Sequence, residues 1–184
     1  MEWTIPGTVI QADKDNPHMA ELQIRSMFLT GGIMRSQVVA ATGLKAHAVQ
    51  NWVQRGFVSS PVNKRYTLRQ FCRILFINML KGSMPMDKIC GLLYYINGQL
   101  DDESDDLIDD SQLYFAFLKA ACSYTGRMEN EQQLKTCIGQ CLKDYQTPSL
   151  QAKERVEQVL HIMLLCWADT LLQQKTQSLL NNIQ

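Results

Sequence analysis

Apolar residues recur at steps of three and four along most of this chain, the spacing of amphipathic helices, and strict alternation is rare. Met19, Leu22, Met27 and Phe28 predict a helix over His18–Leu29 that Gly31-Gly32 ends. Thr67 is a natural N-cap for LRQFCRILFINMLKG, where Phe71, Ile74, Leu75 and Met79 keep the helical period until Gly82. A further helix starts at Ser83 or Met84, with Pro85 in its first turn, and runs through Ile89, Leu92, Leu93 and Ile96 to Asn97-Gly98. Ser111 or Asp110 can cap a helix through Leu113, Tyr114, Phe117 and Leu118, and another is predicted over about Glu129–Tyr145. Pro148 introduces a long last helix, about Ser149 to Leu180, with an apolar stripe of Val156, Leu160, Met163, Leu164, Trp167 and Leu171. Residues 1–17 show little periodicity and predict a partly ordered arm, and the only strand signal is a short hairpin near Val58–Tyr66.

The stretch from Ser36 to Pro61 is the most specific. It reads as two short helices joined by a tight turn at Gly43, the pattern of a helix-turn-helix. Val38, Val39 and Leu44 supply the apolar side of the first helix, and Val49, Trp52 and Val53 that of the second. The second helix carries His47, Gln50, Asn51, Gln54 and Arg55 on its other face. Amide side chains suit an adenine edge in the major groove and arginine suits guanine, so this face has the chemistry of a recognition helix.

Charge sharpens that picture. Among 184 residues the formal net charge is +0, yet Arg25 to Lys88 holds ten basic residues against Asp87 alone, a balance of +9. From Asp101 to Asp110 the balance reverses, with seven acidic residues and no basic one. A basic segment that coincides with such a motif predicts an anionic partner, because cations that neutralise phosphates release condensed counterions. Six cysteines, a start without an apolar leader segment and no run near the ~18 apolar residues of a membrane span lead us to expect a cytoplasmic chain with reduced thiols and no membrane partner.

The run TGLKAHAVQNWVQRGFVSSP, followed by KRYTLRQFCRILFINMLKGSMPMDKICGLL, resembles the DNA-binding region of MerR-type transcriptional regulators. Thr42-Gly43, Trp52, Gly56-Phe57, Pro61, Arg65-Tyr66-Thr67 and Met86 to Leu93 occupy the places of that pattern, over about residues 33–96. Phrases such as QNWVQRGFV, PVNKRYT, YINGQ and SDDLIDDSQLY resemble more closely a group of uncharacterised bacterial proteins with a MerR-like head, classed as a domain of unknown function, as far as about Lys119. The chain departs from the MerR pattern at Gln50, Trp52 and Val53, where that family has arginine, tyrosine and an acidic residue. Only Val62 to Arg65 stand where the family carries a fuller wing. The resemblance implies that Arg65 and Tyr66 reach the DNA backbone while Gln50, Asn51 and Gln54 take any base contacts; His47, Arg55 and Lys64 complete the expected DNA-binding set.

Other features have plainer readings. Trp52, an aromatic at helical spacing, is expected to pack in the core. The acidic run is expected to be a solvated loop; as an EF-hand counted from Asp101 it fails, with Asp106 at the glycine position and Gln112 at the twelfth. Cys137 and Cys141 lie one helical turn apart, a weak spacing for zinc, and small buried cysteines are common. No grouping of nucleophile, base and acid supports an enzyme, and no cofactor or metal site is expected. The expectation is an all-α protein with a MerR-like winged helix-turn-helix head whose wing is short or absent, followed by a helical carboxy-terminal region. Its parts are an arm and short helix at 1–32, the head at 33–98, an acidic linker at 99–110 and a helical region at 111–184. Double-stranded DNA is the expected partner of a homodimer paired through the long last helix, with an effector left unspecified. The alternative is a protein-binding adaptor built on the same scaffold.

Overall fold

The computed structural model describes residues 2–100, 102, 104–124, 131–146 and 149–183. These form eight helices and two small antiparallel sheets of two strands each: β1 (Glu2–Thr4), β2 (Gln11–Asp13), α1 (Pro17–Ser26), β3 (Ile33–Met34), α2 (Arg35–Thr42), α3 (Ala46–Gln54), β4 (Arg65–Tyr66), α4 (Leu68–Leu80), α5 (Met86–Asn97), α6 (Asp110–Ser123), α7 (Glu131–Cys141) and α8 (Leu150–Asn181). The all-α expectation therefore holds for the body of the chain, with the β1–β2 hairpin and the β3–β4 pairing added; of the hairpin expected near Val58–Tyr66 only the Val62–Arg65 bridge forms, and Tyr66 pairs with Ile33 instead. The expected start of α7 at Glu129 and the Pro148 before α8 lie outside the described residues.

Helix ends follow local capping chemistry. Thr67 Oγ1 accepts from Gln70 N at 3.2 Å while Gln70 Oε1 accepts from Thr67 N at 2.9 Å, a reciprocal cap that starts α4. Ser149 Oγ accepts from Ala152 N and starts α8. The cap of α6 is Asp109, one residue earlier than expected, accepting from the amides of Ser111 and Gln112. With Asp109 as cap, Asp110 stands in the first helical turn, where the exposed amides favour a negative charge.

Helix α4 is the centre. Every residue from Gln70 to Leu80 is buried except half-buried Asn78, and α4 packs against α2, α5, α6 and α8. Phe76 meets Tyr114 and Phe117 of α6 edge-on, and Phe117 meets Trp167 of α8 with centroids 5.9 Å apart. Burying each such ring contributes roughly 1.5–3 kcal/mol. One continuous cluster of buried side chains thus joins the segment that contains α2 and α3 to α6 and α8.

The expected loose arm is a correction. Residues 2–13 form the β1–β2 hairpin, whose Ile5 is fully buried, whose Trp3 packs edge-on against Trp167, and whose Pro6 carbonyl accepts from the Tyr114 hydroxyl at 2.7 Å. Gly7, at φ +77°, lies so close to α4 that a Cβ would sit 2.5 Å from the Leu75 carbonyl oxygen. Strands this short leave no periodicity to read, and their stabilising contacts come from residues far along the chain, in α4, α6 and α8.

Candidate nucleic-acid interface

Helices α2 and α3 are joined through Gly43, whose φ of +70° caps α2 in the left-handed region. Thr42 Oγ1 turns back to the Val38 carbonyl, and Asn78 of α4 donates to the Thr42 carbonyl at 3.2 Å, which holds the reversal against the core. Val49 and Trp52 bury the inner side of α3. Its outer side leaves His47, Gln50, Asn51, Gln54 and Arg55 all exposed. Trp52 is a core residue, as its spacing predicts; the Lys81 ammonium lies over its ring, 5.6 Å from the centroid.

Beside α3 stands a minimal hairpin. Ile33 and Met34 pair with Tyr66 and Arg65, and the Val62–Arg65 bridge closes a two-residue turn in which Arg65 N donates to the Val62 carbonyl at 2.9 Å. Asn63 and Lys64 hold φ of 50° and 63°, the signature of a type I′ turn. Asparagine tolerates that conformation; lysine does so at a cost of about 1 kcal/mol. Lys64 is exposed at the turn, while Arg65 is braced by donating to the Gly32 carbonyl at 2.8 Å.

Seven of the eight residues singled out by sequence are exposed, five along the outer side and C-terminal end of α3 and two at the Val62–Arg65 turn. Tyr66 is not: it is 3 % exposed, burial raises its phenol above the ordinary value, and its ring supports β4 from within. The expectation that Tyr66 reaches a phosphate is corrected on that ground. Sequence reasoning missed Arg35. This exposed residue at the start of α2 donates to Gln50 Oε1 at 3.1 Å, and with Ala46, Pro61 and Lys64 it lines an open groove of about 720 Å³ between α2, α3 and the turn. Its signal in the sequence was a lone cation just ahead of the first apolar positions of α2.

The positive charge divides into two sets. Arg25 pairs with Glu21, and Arg69 and Arg73 pair with the acidic segment, so three of the ten cations between residues 25 and 88 serve the fold. Among the described residues the other seven, Arg35, Lys45, Arg55, Lys64, Arg65, Lys81 and Lys88, have no carboxylate partner. The first five belong to α2, the ends of α3 and the Val62–Arg65 turn, Lys81 ends α4 beside Trp52, and Lys88 lies on α5.

The acidic segment is likewise not the solvated loop that its composition predicts. Arg69 meets Asp106 at 2.6 Å and lies 3.9 Å from both Asp109 and Asp110. Arg73 donates to Asp110 at 2.9 Å, and Asn97 donates to the other oxygen of the same carboxylate at 2.8 Å. Burial lifts Asp106 to about 6 despite the opposing pull of Arg69, and burial likewise raises Asp110. Asp102 and Asp105 are exposed, and Asp101 and Glu103 lie outside the described residues.

The cysteines offer poor chemistry. Cys137 and Cys141 share α7, where burial, then the neighbouring Cys137, pushes Cys141 up to about 12, and burial pushes Cys122 up to about 11. Thiols held protonated are weak nucleophiles and weak ligands. No group of three or more His, Cys, Asp or Glu suited to a metal ion occurs among the described residues, and no helix there is long and apolar enough to cross a membrane.

Comparison with known proteins reaches this face and stops. No curated protein and no solved structure matches the chain. The likeness to MerR-type regulators rests on the quoted sequence motifs alone. Residues 32–117, from the residue before β3 into α6, match the family described as a domain of unknown function, DUF1836, in agreement with the resemblance to an uncharacterised group.

Proposed function

We propose that this protein is a cytoplasmic, sequence-specific regulator that binds duplex DNA as a dimer, with α2, the Gly43 turn and α3 acting as a helix-turn-helix. The observation that carries the reading is the division of α3. Its apolar side is locked into the core by Val49 and Trp52, and its outer side presents His47, Gln50, Asn51, Gln54 and Arg55. In this reading α3 enters the major groove, where Gln50, Asn51 and Gln54 offer amide pairs to base edges and Arg55 a guanidinium. Arg35, Lys45, Lys64 and Arg65 flank the helix and meet phosphates, which fix its register without reading sequence.

Selection of bound sequences from a random duplex library tests this. The expected result is an enriched motif whose affinity falls steeply with salt, with a slope of roughly −0.9 per phosphate contact. Folded protein that enriches nothing would contradict it.

One observation favours a second reading, a protein-binding adaptor. Arg69 and Arg73 of α4, behind the exposed face, already bind aspartates of this chain, so guanidinium–aspartate recognition is in use within the fold. An adaptor would bind acidic polypeptide with salt dependence but show no preference among duplexes.

A further inference from the structure

The outer side of α3 carries three amides, and one of them is already engaged. Arg35, the first residue of α2, donates from Nη1 to Gln50 Oε1 at 3.1 Å. The two ends of a glutamine amide have nearly the same shape, but a guanidinium holds donors only, so it is the oxygen of Gln50 that turns to Arg35. Chemistry thus fixes the amide, with its oxygen toward α2 and its nitrogen away. Among the described residues Asn51 and Gln54 hold no such side-chain partner, so their amides remain able to turn either way.

The surroundings favour this pairing. Ala46, one helical turn before Gln50, lines the same open groove as Arg35, and its single methyl group takes little of the space between them. No carboxylate among the described residues pairs with Arg35 to draw it elsewhere. The cation beside Oε1 also polarises the amide, which strengthens its N–H groups as donors.

Base edges in the major groove differ in what they ask of such a pair. Adenine presents one acceptor, N7, and one donor, the N6 amino group, and a free glutamine matches it with nitrogen and oxygen together. Here an adenine amino group would have to approach the oxygen that Arg35 holds, beside the N–H groups of a cation. Guanine presents two acceptors, N7 and O6, and suits a surface of donors.

We infer that Arg35 is a positioning residue that holds Gln50 as a donor, so that α3 reads guanine rather than adenine at the position Gln50 faces. The inference rests on the DNA-binding reading above and gives one of its contacts a base. Arg35 keeps further N–H groups for a phosphate, so its two roles are compatible.

Selection from a random duplex library tests it, with the full chain as wild type, Gln50→Ala, Arg35→Met and Arg35→Ala. Both positions are exposed, and circular dichroism checks that each variant folds. The base pair whose preference vanishes in Gln50→Ala is the one that Gln50 reads. At that pair the wild type is expected to favour G·C over A·T by about tenfold or more. Both Arg35 variants are expected to lose or reverse that preference and to leave the rest of the motif unchanged. Loss of the cation alone would weaken every duplex alike and shift no base preference. A·T favoured by the wild type at that pair would overturn the inference, and so would a G·C preference that the Arg35 variants keep in full. A motif that Gln50→Ala leaves unchanged would overturn it too. In these three cases a motif is still enriched and the DNA reading stands; folded wild type that enriches none would overturn both.

Discussion

Helices α3 and α4 carry the same polar residue types and use them in opposite ways. On α4, Gln70, Arg73 and Asn78 point inward and grip backbone: Gln70 donates to the carbonyls of Ser59 and Ser60, Arg73 to that of Phe57, and Asn78 to those of Gly7 and Thr42. They fix the irregular connections on either side of α3, where no helical or sheet partner satisfies the chain. On α3, Gln50, Asn51, Gln54 and Arg55 point outward and hold none of the fold's backbone. The contrast teaches that a polar side chain's role here is set by what surrounds it in the fold. If the proposed reading of α3 is right, variants on α4 cost stability and variants on α3 cost binding.

The largest effect is expected at Arg73. Arg73→Met leaves the Asp110 carboxylate buried with Asn97 and the more distant Arg69, a change worth roughly 3–5 kcal/mol. Urea denaturation of the wild type and variant measures it, and a loss below about 1 kcal/mol would break the comparison from the α4 side. Asn78→Ala leaves two carbonyls short of a donor and is expected to cost about 1–3 kcal/mol in the same experiment. Lys64→Gly runs the other way. Glycine relieves the positive φ and should stabilise the fold by about 1 kcal/mol, while the lost cation weakens binding to any duplex and lowers the salt slope by roughly one.

The smallest effect is a pH dependence. The folded state holds the Asp106 proton up to about 6, above the ordinary value of 3.8. In that window the folded chain binds more proton than the unfolded one, so this group's contribution to stability falls as pH rises and is flat above it. Subtracting the denaturation profile of Asp106→Asn from that of the wild type should isolate a difference of that sign. A difference that grows with pH instead would mean that the Arg69 ion pair dominates.

Much of this fold was legible from short-range signals. Thr67 caps the helix it was expected to cap, and α8 starts and ends within a residue of its expected boundaries. Trp52 lies in the core as its helical spacing implies. What escaped depends on partners distant in sequence. The β1–β2 hairpin owes its order to Tyr114 and Trp167, and the aspartates that compose a solvated loop on paper are drawn in by Arg69 and Arg73. Tyr66 follows Arg65 in a two-residue strand, so one side chain faces out and the next faces in. Nothing in the composition of α4 distinguishes its amides from those of α3; only the packing of α4 at the centre of the core does.

The most direct test of the reading of α3 is the affinity of wild type and Gln50→Ala for a selected duplex and for a scrambled one. Loss of about 1–3 kcal/mol on the selected duplex, no change on the scrambled one and unfolding stability within about 0.5 kcal/mol of wild type are the expected results. Equal losses on both duplexes would contradict base reading by this helix.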